Sequence, residues 1–186
     1  MPLLPKRRFR KLDTARLPRR PLAMALPHLA REVDGFADAH AAYRADGRVR
    51  VLSLAGQRTV DLLCDVFELP GRRVVLRDSP RPHKRRKGRI VYELHGLCIP
   101  DGPLELYART AARAQPVAPT TLMNTLLHEW MHHYDLVVFG DSVHCRGFYR
   151  RIDQLYEPVR ARLPAARRPK GVVPVPIHPA TEAPQA

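Results

Sequence analysis

Apolar residues recur at three- and four-residue steps in four stretches of the chain, and at two-residue steps between the second and third of these. Leu29, Val33, Phe36, His40 and Tyr43 form the first series. A helix turns once in 3.6 residues, so this spacing stacks them on one side and predicts a helix. His40 falls on that stripe and reads as a core or boundary histidine. Val60, Leu63, Cys64 and Phe67 predict a second helix over Arg58 to Leu69, stopped by Pro70-Gly71. The period then drops to two. Arg73 to Arg77 is a short valine-rich strand. Arg89 to Ile99 alternates through Ile90, Tyr92 and Leu94, and Leu104 to Arg109 through Leu104, Leu106 and Ala108. Pro100-Asp101-Gly102-Pro103 is a turn between the last two. Together they predict a small, three-stranded antiparallel sheet.

Pro119 to Gly140 predicts one long helix, with Leu122, Leu126, Leu127, Trp130, Tyr134, Val137 and Val138 inward. Thr120 or Thr121 is placed to cap its start and Gly140 to end it. Phe148, Ile152, Leu155 or Tyr156, and Val159 predict a final helix. The order of elements implies an α+β fold, with N-terminal helices, the sheet, the long helix and a C-terminal helix.

The long helix also carries His128-Glu129-Trp130-Met131-His132. Residues four apart on a helix stand nearly one above the other, so His128 and His132 can hold one metal ion from a single face. Glu129 lies about 100° around the axis. There it reaches a water at the metal, which suits a general base. A carboxylate among so many apolar neighbours would be costly to bury without such a use. Catalytic zinc takes three protein ligands and keeps a position open. Downstream candidates for the third are Asp141, His144, Cys145, Asp153 and Glu157. His144 is favoured, because it follows the break at Gly140 and imidazole suits zinc. His133 points about 100° away from His132 and is expected at the surface or behind the ligands. Asp135 is either a carboxylate that orients a ligand imidazole or a solvated residue.

Thr125-Leu126-Leu127-His128-Glu129-Trp130-Met131-His132, followed after a break by His144-Cys145-Arg146-Gly147-Phe148, resembles the SprT-like (SprT/Spartan) zinc metalloprotease domain. The resemblance spans roughly Val74 to Leu163 and is concentrated in the two metal-binding helices. The chain departs from the family in setting Gly147 three residues after His144. The resemblance implies a zincin-like fold, with His128, His132 and His144 as Zn2+ ligands and Glu129 as catalytic base. It also implies action on proteins associated with DNA.

Composition adds a partner class. The 186 residues carry a formal net charge of +14, unusual for a simple peptidase. One basic cluster runs from Lys6 to Arg20, within residues 1–27, which hold five prolines and eight Lys or Arg and read as a flexible arm. The other is Lys84, Arg85, Arg86, Lys87 and Arg89, expected in a loop. Such patches attract phosphate backbones without sequence preference, which makes DNA a candidate partner. Residues 28–163 form the expected metalloprotease domain. Residues 164–186, with six prolines, read as a disordered tail. Cys64, Cys98 and Cys145 are odd in number and widely spaced, as expected for reduced thiols in a cytoplasmic protein. No apolar run approaches the ~20 residues of a membrane span.

These readings converge on a zinc-dependent peptidase. An extended protein or peptide substrate would add to the sheet edge beside the metal cleft. Tyr107, Tyr149 and Arg146 are candidates to stabilise the oxyanion, and sequence does not choose among them. Two other classes are a non-catalytic zinc module that binds nucleic acid and a small-molecule metallohydrolase. The first would enclose its metal with four protein ligands. The second would need a closed pocket.

Overall fold

The computed structural model describes residues 6–163, so the expected tail at 164–186 lies outside them. The chain runs α1 (Lys6–Thr14), α2 (Arg19–Asp46), α3 (Val49–Val66), β1 (Val74–Pro80), β2 (His83–Arg86), β3 (Arg89–Glu93), β4 (Gly96–Cys98), β5 (Leu104–Arg109), α4 (Pro119–Phe139) and α5 (Arg146–Arg162). The α+β class is as expected. One core unites α2, α3, the inner face of β5, α4 and α5 through Leu29, Phe36, Leu63, Leu106, Trp130 and Leu155. Trp130 and Phe36 are almost completely buried. Truncating such an aromatic to alanine typically costs 3–5 kcal/mol, roughly, so α4 is held mainly by its packing.

The sheet differs from expectation. It has three strands in the order β1-β5-β4, but β1 pairs with β5 in parallel, with Val74 opposite Leu104. β4 pairs with β5 antiparallel, with Gly96 opposite Leu106. Period-two alternation reports which face a residue takes and is silent on strand direction. The stretch Arg89 to Ile99 is two strands rather than one. β3 belongs to a separate two-stranded hairpin with β2, and the chain changes sheet at Leu94-His95. The expected basic loop at 84–89 is this hairpin. Lys87 and Gly88 both take positive φ (49° and 75°) at its tip, which matches a two-residue turn to the twist of the flanking strands.

The expected flexible arm is also corrected. Residues 6–14 and 19–27 are helical, and Leu12, Leu17 and Ala25 are buried. The prolines allow this by position. Pro18 is the N-cap of α2 and Pro21 lies in its first turn, where a backbone N–H has no intrahelical acceptor to lose. Only Pro27 sits in the helix interior. The α1 end docks on the start of α5. Gly147 passes so close to it that a Cβ there would stand 2.1 Å from the Leu12 carbonyl oxygen. Glycine at 147 is therefore required by contact, not by φ.

Among the described residues no helix is long and apolar enough to cross a membrane. Cys64, Cys98 and Cys145 are all free thiols.

Candidate metal centre

α4 begins at Pro119, a residue whose fixed φ suits the first helical position. The N-cap is therefore Ala118, and neither Thr120 nor Thr121 fills that role. Gly140 ends the helix at φ 70°, and its N–H bonds the Leu136 carbonyl. The buried stripe holds from Leu122 to Tyr134. Val137 and Val138, expected inward, are exposed, and in the last turn of α4 it is Phe139 that packs against the core.

His128 and His132 project from one side of α4, and the chain after Gly140 brings His144 to meet them. The Nε2 atoms of His128 and His144 lie 2.8 Å apart, and those of His132 and His128 lie 3.2 Å apart. Three nitrogens around a tetrahedral zinc at ~2.0–2.1 Å would stand about 3.3 Å from one another. The three histidines thus lie close enough to hold one metal ion. Phe148, fully buried on the first turn of α5, packs against all three rings at 5.0, 4.7 and 4.9 Å between centroids. It forms an apolar floor that fixes their tilt. Burial, with the neighbouring His132 and His144, holds His128 down to about 2, and burial with His144 holds His132 down to about 3. Both rings are therefore neutral at pH 7, the state a metal ligand needs.

The outer partners are not those expected. His132 presents Nε2 to the cluster, so its Nδ1–H donates to Ser142 Oγ at 2.7 Å. Asp135 does not serve a ligand ring. It is fully buried and paired with Arg151 of α5 at 2.6 Å. Arg151 also donates to the carbonyls of Leu12 and Ala15, so one guanidinium joins α4, α5 and the end of α1. His133 is neither on the surface nor behind the ligands. It is buried, accepts from Arg72 Nε at 3.0 Å and donates to the Pro70 carbonyl at 2.9 Å, closing the loop before β1. His40 is buried as expected, with Nε2 2.7 Å from the Val117 carbonyl oxygen.

Glu129 is 6% exposed and lies between α4 and β4. Burial pushes its carboxyl up to about 8, opposed in part by a hydrogen bond from the Cys98 backbone N–H. A divalent cation at the three imidazoles would favour the charged form again. Glu129 reaches this position because residue 96 is glycine. A Cβ at Gly96 would lie 2.8 Å from Thr125 Cγ2 and 3.0 Å from both Glu129 Cγ and the Glu105 carbonyl oxygen. Sequence reasoning passed over Gly96, although a lone glycine inside a strand pattern is itself a sign of close backbone approach.

The basic candidates stand apart from this centre in kind. Lys84, Arg85 and Arg86 lie on β2, Lys87 in the turn, and Arg89 opens β3. All five are exposed, and among the described residues neither strand packs on another helix or strand.

No family model, curated protein or solved structure matches this chain.

Proposed function

We propose that this protein is a zinc-dependent metallopeptidase of the zincin type, as the resemblance to SprT-like domains implies. The observation that carries the reading is the convergence of three imidazole Nε2 atoms at a helix that also carries a buried glutamate packed against an edge strand. His128, His132 and His144 would hold Zn2+. When bound there, the ion supplies Lewis acidity, acidifying water and polarising a carbonyl.

The chain's own groups supply the rest. Glu129 takes a proton from the attacking water as its oxygen bonds the carbonyl carbon, and delivers that proton to the amide nitrogen as the C–N bond breaks. A cation at the three imidazoles would offset the burial that raises this carboxyl, leaving Glu129 charged and able to accept the proton. β4 supplies substrate alignment. It is an edge strand, and backbone groups alternate sides along a strand. The His95 carbonyl bonds the Tyr107 N–H, and the Ile99 N–H bonds the Pro103 carbonyl, so those residues face β5. Gly96 and Cys98 between them then turn their N–H and C=O away from β5; Gly96 is buried against α4 and the Cys98 N–H meets Glu129. An extended peptide added there would cross the metal centre with little demand on side-chain identity.

The exposed hairpin favours a second element of the reading, binding to nucleic acid. Five basic side chains on a projecting ribbon suit phosphate contacts that fall off with salt. On this reading DNA-associated proteins would be among the substrates, as the resemblance implies.

The test is hydrolysis of denatured casein by the zinc-loaded protein. Turnover should cease with 1,10-phenanthroline and return with added zinc, and the addition of duplex DNA measures the contribution of the hairpin. Full resistance of casein to zinc-loaded protein, with and without DNA, would reject the peptidase reading.

A further inference from the structure

A tetrahedral transition state places negative charge on the former carbonyl oxygen, and one preorganised hydrogen-bond donor there is worth roughly 10²–10³ in rate. Three side chains near the centre in sequence could supply it: Tyr107, Arg146 and Tyr149. The structure separates them. Tyr107 alternates with Leu104, Leu106 and Ala108 of β5, the residues buried toward the core, so it lies on the other face of the sheet. Its hydroxyl is already given to Glu105 at 2.9 Å. Arg146 is exposed at the first residue of α5.

Tyr149 is different. Its ring stacks on the His144 imidazole, with centroids 5.9 Å apart and planes 22° from parallel. The side chain is nevertheless 48% exposed, so it flanks His144 at the surface while Phe148, one position earlier, is buried against all three rings. Its hydroxyl makes no hydrogen bond among the described residues. Two other polar rings nearby are committed elsewhere. Tyr156, two turns along α5, is directed at the Asn124 carbonyl at 3.4 Å. His95 has Nε2 3.6 Å from Glu93 and 3.5 Å from Arg81.

We propose that Tyr149 is a further catalytic residue, whose phenol donates a hydrogen bond to the developing oxyanion of the peptide substrate. The inference rests on the metallopeptidase reading. The phenol keeps its proton throughout, since water and Glu129 balance the proton account. Stacking on His144 fixes the ring near the reacting carbonyl, and the absence of an internal partner leaves the O–H free to point there.

The experiment compares zinc-loaded parent, Tyr149→Phe and Tyr107→Phe proteins. For Tyr149→Phe, kcat on an unfolded protein substrate should fall about 10²-fold with KM within about twofold. Zinc affinity should be unchanged. Affinity for a phosphinic peptide, which carries a tetrahedral anionic oxygen, should fall by a similar factor, and affinity for a mercaptoacyl peptide, which carries none, should hold. Tyr107→Phe should match the parent in every respect. A Tyr149→Phe protein with parental kcat and parental phosphinic-peptide affinity overturns the assignment of Tyr149 alone. A parent protein that neither cleaves the substrate nor binds the phosphinic peptide overturns this inference together with the peptidase reading.

Discussion

Glu129 packs its Cγ against Gly96, so closely that a methyl group at residue 96 would stand 3.0 Å from it. The glycine lets the edge strand lie down on α4, and this brings the backbone of β4 up to the buried carboxylate, which accepts from the Cys98 N–H. A Gly96→Ala protein should lose about 1–3 kcal/mol of stability, because the backbone of Glu105 on the other side cannot yield. It should also lose at least about tenfold in turnover, since small displacements of a reacting group are costly. Metal content should be unaffected. Denaturant unfolding together with kcat on casein checks both parts.

Ser142 determines how the His132 ring is presented. Its hydroxyl accepts the Nδ1–H at 2.7 Å, and its own N–H is fixed by Asp141 at 2.7 Å. Ser142→Ala should weaken zinc binding by about 10–100-fold, the usual cost of removing an outer partner of a ligand histidine. Competition for zinc against a chelating dye measures this directly, and parental affinity would show that the ring is held by Phe148 alone.

Arg151 and Asp135 form a fully buried ion pair behind the metal helix. Arg151→Met should destabilise the protein by about 3–5 kcal/mol, because the buried Asp135 carboxyl loses the cation that offsets its desolvation. The carbonyls of Leu12 and Ala15 lose their donor as well. Adding Asp135→Leu should recover much of the loss. Denaturant unfolding of the single and double variants decides the point, and a single variant as stable as the parent would remove the pair from the account of how α1 is held.

Glu93 gives the fold an acid-sensitive contact. Its hydrogen bond with His95, then the Arg81 charge, holds the carboxyl down from 4.5 to about 2. The folded value lies below the unfolded one, so the stabilisation is complete above pH 4.5 and is lost as pH falls from there toward 2. At 1.36 kcal/mol per unit it amounts to at most about 3–4 kcal/mol. Stability measured from pH 6 to 2.5 should therefore fall more gently in Glu93→Gln than in the parent, and equal slopes would dismiss the contact.

What the sequence disclosed was whatever a short stretch of chain determines. His128, Glu129 and His132 are related by one turn of helix, and Gly140 marks where the chain can turn back to deliver His144, so the cluster was legible before any coordinates. Relationships between distant segments were not. Asp135 stays open between a companion of a ligand imidazole and a solvated residue, because its true partner, Arg151, lies on the next helix. His133 is held by Pro70 and Arg72 across the core. The prolines at 18 and 21 count toward a flexible arm in the composition, yet at an N-cap and in a first turn they cost a helix nothing. The parallel pairing of β1 with β5 leaves no trace in the alternation of either strand.

The central claim is that Glu129 moves protons for a metal held by three histidines. Its most direct test is Glu129→Gln at matched zinc occupancy, assayed on unfolded casein. Zinc stoichiometry should stay at the parental level while turnover falls by about 10²–10⁴-fold, the range expected for loss of a general base. A Glu129→Gln protein that carries the same zinc and cleaves casein at the parental rate would contradict it.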